Sequence, residues 1–71
     1  MTVHVLTIDT RYGIDAWAFT TLEAADRALD RYVVQNWGDG PMPEDRDERV
    51  EEYFDCNDRE DYNILILEVE E

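Results

Sequence analysis

Hydrophobic and polar residues alternate over the first twenty positions of the chain. Residues 2–8, TVHVLTI, are rich in β-branched side chains and roughly alternating, which is typical of a β-strand. Residues 14–20, IDAWAFT, place Ile14 and two alanines on one face and Trp17 and Phe19 on the other. Gly13 can take a positive φ in a tight turn between the two segments. The pattern therefore predicts an antiparallel hairpin.

The hydrophobic period then lengthens from two residues to that of a helix. Thr20 and Glu23 fit a capping box, in which Thr20 accepts from the Glu23 amide and Glu23 reaches back. Apolar residues recur at helical spacing as far as Trp37, and Gly38 follows. The pattern predicts a first helix over residues 21 to about 37.

A second, shorter helix is predicted after the loop GDGPMP. Pro43 suits a first helical position, and residues 44–55 carry a short apolar stripe of Val50, Tyr53 and Phe54. The segment CNDRED ends this helix, and residues 62–70, YNILILEVE, predict a closing strand.

These elements predict one α+β domain over residues 1–71 in the order β-β-α-α-β. Both helices should cover one face of a three-stranded antiparallel sheet, with the first strand central. Residues 64–67 are apolar on both faces of the last strand, and Val3, Val5 and Trp17 add to that surplus. Two explanations are open: a well-filled core and edge, or a second sheet face covered by a partner or a homodimer mate.

Charge restricts the classes of partner. The 71-residue chain has a formal net charge of −13 and is 44% hydrophobic, so it is too apolar for wholesale disorder. The charge exceeds the magnitude of roughly 2–8 that keeps a small domain soluble. Such a field repels nucleic acid and anionic membranes and attracts basic surfaces. We therefore expect no direct nucleic-acid binding and no membrane binding.

Two further features of composition bear on class and compartment. All six basic residues are arginine, which fits either a GC-rich genome or adaptation to high salt. The N-terminus lacks the basic and apolar regions of a secretion signal, and no apolar run approaches the roughly 20 residues of a membrane span. We expect a soluble, cytoplasmic protein.

The sequence contains no recognisable catalytic, cofactor or metal signature. One histidine, His4, and one cysteine, Cys56, give no reliable nucleophilic pair, and a lone cysteine cannot form an internal disulfide. Residues 55–66 begin like a calcium loop, but Glu60 stands where that loop requires glycine. We expect a non-enzymatic protein without cofactor or metal.

Acidic residues are concentrated in one part of the chain. Residues 43–61 together with Asp39 contain eleven of the nineteen carboxylates, against Arg46, Arg49 and Arg59. A helical wheel centred on Val50 places Arg46 beside the apolar stripe and Arg49 at the border of the acidic side. The first helix instead has a mixed surface, with an i,i+4 pair between Glu23 and Arg27.

The acidic side of the second helix is the best candidate for a partner-binding surface. Like charges at i,i+4, such as Glu44/Glu48, destabilise a helix. Carboxylates one helical turn apart are about 5.4 Å apart along the axis; phosphates of one DNA strand advance roughly 3.4 Å along the duplex axis and are farther apart along the backbone, so the two spacings are comparable. A basic cleft for nucleic acid could accept this row, which Asp58, Glu60 and Asp61 extend. The predicted partner-binding residues are Glu44, Asp45, Asp47, Glu48, Glu51, Glu52 and Asp55, with Asp58 and Asp61 at the rim.

Several segments resemble a known group of proteins. LTIDTRYGID, TTLEAADRALDRYVVQNW and the terminal YNILILEVEE are similar to segments of small acidic proteins carried by phages, plasmids and other bacterial mobile elements. Arg11 and Tyr12 stand where that group often has histidines, so no metal role carries over. The resemblance implies counter-defence, because small acidic phage proteins include anti-CRISPR and anti-restriction inhibitors, several of them DNA mimics.

The leading hypothesis is an anti-CRISPR-like inhibitor that acts as an acidic DNA mimic. Its partner would be a basic nucleic-acid-binding protein or complex, either a CRISPR effector or a restriction enzyme. The alternative is a small structural or interaction module, such as a homodimer, whose charge serves only solubility or salt adaptation.

Overall fold

Three strands and two helices make up the fold in a computed structural model, which describes residues 1–38 and 40–70. Asp39 and Glu71, both among the nineteen carboxylates, lie outside the described residues. The strands form one antiparallel sheet in the order β2-β1-β3, so the predicted β-β-α-α-β order and the central first strand are confirmed. The elements are β1 (Thr2–Thr10), β2 (Gly13–Phe19), α1 (Leu22–Gln35), α2 (Arg46–Cys56) and β3 (Asp61–Glu68).

The β1–β2 hairpin turns through two residues, Arg11 and Tyr12. Thr10 pairs directly with Gly13, whose φ of 135° is readily available only to glycine. The Thr10 hydroxyl accepts from the Tyr12 amide at 3.2 Å and donates to the Gly13 carbonyl at 3.3 Å. The predicted hairpin and the role of Gly13 therefore follow from local chemistry.

Helix α1 begins one residue later than the capping-box pattern predicts. Thr21, not Thr20, is the N-cap, and its hydroxyl accepts from the Ala24 amide at 3.1 Å. Two adjacent threonines offer the same cap, and the helix uses the second. Glu23 therefore has no capping role and lies 3.8 Å from Arg27, which is the predicted i,i+4 pair.

Helix α2 also begins later than predicted. Asp45 is the N-cap, and its carboxylate accepts from the Asp47 amide at 2.9 Å. Pro43 and Glu44 therefore precede the helix, because Asp45 supplies an N-cap oxygen whereas Met42, which would cap a helix that begins at Pro43, does not. The helix ends at Cys56, and the Asn57 side chain donates to the Tyr53 carbonyl at 2.7 Å.

The core lies between the helices and one face of the sheet. Leu6 and Ile8 of β1 are each 1% exposed and pack with residues from both helices. An aromatic cluster continues this core toward β3, where the ring centroids of Phe54 and Tyr62 are 4.7 Å apart. The other members of the buried cluster are Leu29, Val33, Val50 and Tyr53.

The opposite face of the sheet has no cover among residues 1–38 and 40–70. Strand register puts apolar side chains of all three strands there, and Leu65 and Leu67 are each 49% exposed. A well-filled core explains the apolar residues on the side of the sheet that faces the helices. It does not explain the apolar residues on the opposite side. We call this surface the open face; its apolar residues are Met1, Val3, Val5, Ile14, Ala16, Ala18, Leu65, Leu67 and Val69.

A bidentate ion pair joins the two helices. Arg49 Nε lies 2.8 Å from Asp30 Oδ1, and Arg49 Nη2 lies 3.0 Å from Asp30 Oδ2. The remaining guanidinium nitrogen donates to the carbonyls of Pro43 and Glu44 at 3.1 and 3.0 Å. Arg49 was expected at the border of the acidic side, and instead it turns inward and fixes the start of α2 against α1.

Replacing Arg49 should therefore destabilise the fold. We expect Arg49→Gln to lower the melting temperature by several degrees, because it leaves Asp30 half-buried without its partner and frees two carbonyls. The matched control is Arg27→Gln, which breaks an ion pair whose side chains are 61% and 75% exposed and should change little. Thermal melts followed by circular dichroism give the comparison, and equal effects of the two variants would contradict the assignment.

Candidate functional site: the acidic surface of helix α2

Seven predicted carboxylates lie together on and just before α2. All are solvent-exposed, whereas Val50 and Tyr53 of the same helix are buried, so the wheel separated the two sides correctly. We call this group the acidic surface; it consists of Glu44, Asp45, Asp47, Glu48, Glu51, Glu52 and Asp55.

One row of the acidic surface borders an apolar groove. Asp47, Glu51 and Asp55 follow one another at successive turns and span about 12 Å of the helix axis. The groove between α1, α2 and β3 has a volume of about 600 Å³, and Arg46 and Asp26 also line it. Its apolar lining comes from Leu29, Val50, Phe54, Tyr62 and Ile64.

The acidic surface has no ion pair within the described part of the chain. Residues 1–38 and 40–70 contain three salt bridges, and none involves a carboxylate of this surface. Arg49, the best-placed arginine of α2, is bound to Asp30 of α1. Within the described residues, no basic side chain therefore neutralises these carboxylates at salt-bridge distance.

The helix dipole stabilises only part of this charge. Asp45, Asp47 and Glu48 lie at the N-terminus of α2, where the partial positive charge favours carboxylates. Asp55 lies in the last turn, where the partial negative charge opposes it and no basic residue is present. Because the helix begins at Arg46, the expected Glu44/Glu48 repulsion lies outside it, while Glu51/Asp55 lies inside.

The three acidic residues beyond α2 occupy different places. Asp58 is exposed in the turn after α2, beside Arg11 and Tyr12 of the hairpin turn. Asp61 pairs with Asp9, and strand alternation puts both on the side of the sheet opposite the helices. Asp58 therefore lies near the end of α2, as predicted for the rim of the partner-binding surface. Asp61 lies on the opposite side of the sheet and is not part of that rim.

Glu60 does not extend the acidic row as expected. Its carboxylate accepts from the Tyr53 hydroxyl at 3.0 and 3.1 Å and also from the Tyr32 hydroxyl. Burial first, and the hydrogen bond to Glu60 second, raise the pKa of Tyr32 and of Tyr53 above the usual value of 10.0. Glu60 is thus a structural acceptor that joins α1, α2 and the start of β3.

Two side chains of this region could not be assigned from sequence alone. Asp26 belongs to α1, and the groove brings it opposite the carboxylates of α2. Asp26 lies one turn before Asp30, which binds α2, so the helix contact carries Asp26 toward the groove. Glu60 faces two tyrosines, whereas its neighbours Asp58 and Asp61 do not, and this difference depends on the packing of three elements.

Other chemistry of the described residues is limited. His4 lies near the start of β1, whereas Cys56 lies beside the hairpin turn at the other end of that strand. Among residues 1–38 and 40–70, no three histidine, cysteine or carboxylate side chains are placed to hold a metal ion. Neither described helix has the length and apolarity needed to cross a membrane. The chain matches no family model, no curated protein and no solved structure.

The tyrosine–Glu60 cluster should make stability fall at alkaline pH. Above about pH 10 the unfolded tyrosines ionise while the folded ones, with raised pKa, stay neutral, so proton loss favours the unfolded state. We expect the urea midpoint to decrease between pH 9 and 11, and to decrease less in Tyr32→Phe. Tyr12→Phe, at an exposed tyrosine, is the control. An unchanged slope in Tyr32→Phe would contradict the assignment.

Helix α2 should become more stable when charge near its C-terminus is reversed. We expect Glu52→Arg or Asp55→Arg to raise the melting temperature by about 2–5 °C, because each removes repulsion and Asp55→Arg also suits the helix dipole. Glu48→Arg is the matched control; it lies in the first turn and should give no increase. If Asp55→Arg lowered the melting temperature, the carboxylate would have a structural role.

Proposed function

We propose that this protein is a non-enzymatic counter-defence inhibitor that acts as a DNA mimic. Its acidic surface would occupy the basic nucleic-acid-binding cleft of a host defence complex, either a CRISPR effector or a restriction enzyme. The observation that carries the proposal is the set of exposed, unpaired carboxylates on α2 within the described residues. The resemblance to small acidic mobile-element proteins supports the counter-defence setting.

The contrast between the two helices supports a specific use for this charge. Helix α1 has a mixed surface, on which Glu23 is paired with Arg27. Helix α2 keeps Glu52 where like charges repel it, and Asp55 where the helix dipole opposes it as well. A requirement for solubility alone would be met by spreading the charge over both helices, so the concentration on α2 favours recognition of a basic partner.

The shape of the acidic surface suits a cleft built for a phosphate backbone. The row from Asp47 to Asp55 presents charges at intervals of about 5–6 Å along one edge of the helix. Glu48 and Glu52 form a second row beside it. Arginine and lysine side chains that bind phosphates could bind these carboxylates with charge-assisted hydrogen bonds.

The groove adds short-range apolar contacts to the long-range attraction between the acidic surface and a basic partner. Charge attraction accelerates association and weakens steeply with salt. The apolar lining between Phe54 and Ile64 lies directly beside the row of carboxylates. A partner side chain with an apolar stem and a cationic head, such as arginine or lysine, could bind to both.

Competition with DNA tests this proposal. Purified CRISPR effector complexes and restriction enzymes would be titrated with the protein while fluorescence anisotropy follows their binding to labelled target DNA. We expect wild-type protein to displace DNA from its target and Glu48→Arg/Glu52→Arg to weaken displacement by at least about 100-fold, because two attractive contacts become repulsive.

A matched variant distinguishes the effect of charge on α2 from the effect of the net charge of the protein. Asp15→Arg/Glu70→Arg changes the net charge equally at exposed positions away from α2 and should retain nearly full activity. Equal losses in the two double variants would contradict a role for α2. Unchanged DNA binding at saturating wild-type protein, across all the complexes tested, would contradict mimicry altogether.

A further inference from the structure

We propose that the open face of the sheet is the interface of a homodimer. This inference is independent of the proposed function, because it concerns the side of the sheet opposite α2. Leu65 and Leu67 are each 49% exposed, and Val69 is 44% exposed. These residues follow one another along the same face of β3 and just beyond its end, so they form one continuous apolar patch. Apolar patches of this kind on a small protein mark protein interfaces.

Charge is almost absent from the open face. In a chain with 35% charged residues, the register places only Asp9 and Asp61 among the described residues of this side. These two lie opposite each other at one end of the sheet, and the rest of the face is apolar or neutral. A surface meant to face water in so acidic a chain would carry more charge, so this distribution indicates burial against protein.

The shape of the open face is complementary to a second copy of itself. Leu65 and Leu67 form a ridge on β3, whereas Ala16 and Ala18 leave a shallow strip on β2 at the other side of the central strand. A two-fold axis parallel to β1 would place β3 of each copy over β2 of the other, with Leu65 over Ala18 and Leu67 beyond the end of the alanine strip. The same axis brings Asp9 and Asp61 of both copies together at one end of the dimer, where they contact water and repel one another.

The dimensions suit a small but specific interface. Strands about 4.8 Å apart with a rise of about 3.3 Å per residue give the face a plan of roughly 14 by 26 Å. Two such faces have a combined plan of roughly 700 Å², and the side chains that project from them bring the accessible area to about 1,000 Å², near the lower limit for specific association. The two acidic surfaces would lie on the outer sides of the dimer, where their mutual repulsion is weakest.

Sedimentation equilibrium over a range of protein concentrations tests the dimer directly. We expect a dissociation constant in the micromolar range, and dimerisation should strengthen between 0.15 and 1 M NaCl because salt screens repulsion between the copies. Binding of the acidic surface to a basic target should weaken over the same range, so failure of one proposal is distinguishable from failure of the other.

Variants on the two faces of β3 give the matched comparison. Leu65→Thr/Leu67→Thr should raise the dissociation constant at least about 100-fold, since both copies lose apolar contacts. Ile66→Thr, at a 64% exposed residue on the other face of β3, should leave the constant within about twofold of wild type. Circular dichroism checks that both variants fold. Wild-type protein that remains monomeric in 1 M NaCl would overturn the proposal, as would equal weakening by the two variants.

Discussion

Burial of one face of the central strand beneath both helices is the interaction on which the rest of the structure depends. Leu6 and Ile8 contact Leu29 and Val33 of α1 and the buried side of α2. With so few residues, the chain forms one such layer and leaves the other side of the sheet uncovered within the described residues. The same packing fixes which side of α2 faces water, so the acidic surface and the open face are two consequences of one core.

Polar contacts refine the position of α2 on that core. Arg49 binds Asp30 and the two carbonyls before the helix, while Glu60 accepts from tyrosines of both helices after it. The arginine and the glutamate that could have moderated or extended the acidic surface are both used internally. What remains outward on α2 is a compact set of carboxylates held on a rigid element, which suits recognition better than a mobile acidic tail would.

The order of elements and the sides of α2 could be predicted from hydrophobic periodicity because the core follows that periodicity closely. Helix starts were less predictable: Thr20 and Thr21 offer equivalent caps, and Asp45 competes with Pro43. The positions of Arg49, Glu60 and Asp61 depend on tertiary contacts and strand register, which the local sequence does not encode. The exposed set from Glu44 to Asp55 was predictable, whereas the contribution of Asp26 to the groove required the packing of α1 on α2.

The central claim is that the acidic surface and DNA compete for one basic cleft. The most direct measurement is sedimentation velocity of a defence complex mixed with the protein and labelled target DNA, each at saturating concentration. The account predicts that the complex carries either the protein or the DNA, and that adding more DNA releases the protein. A stable ternary species containing both would contradict the account.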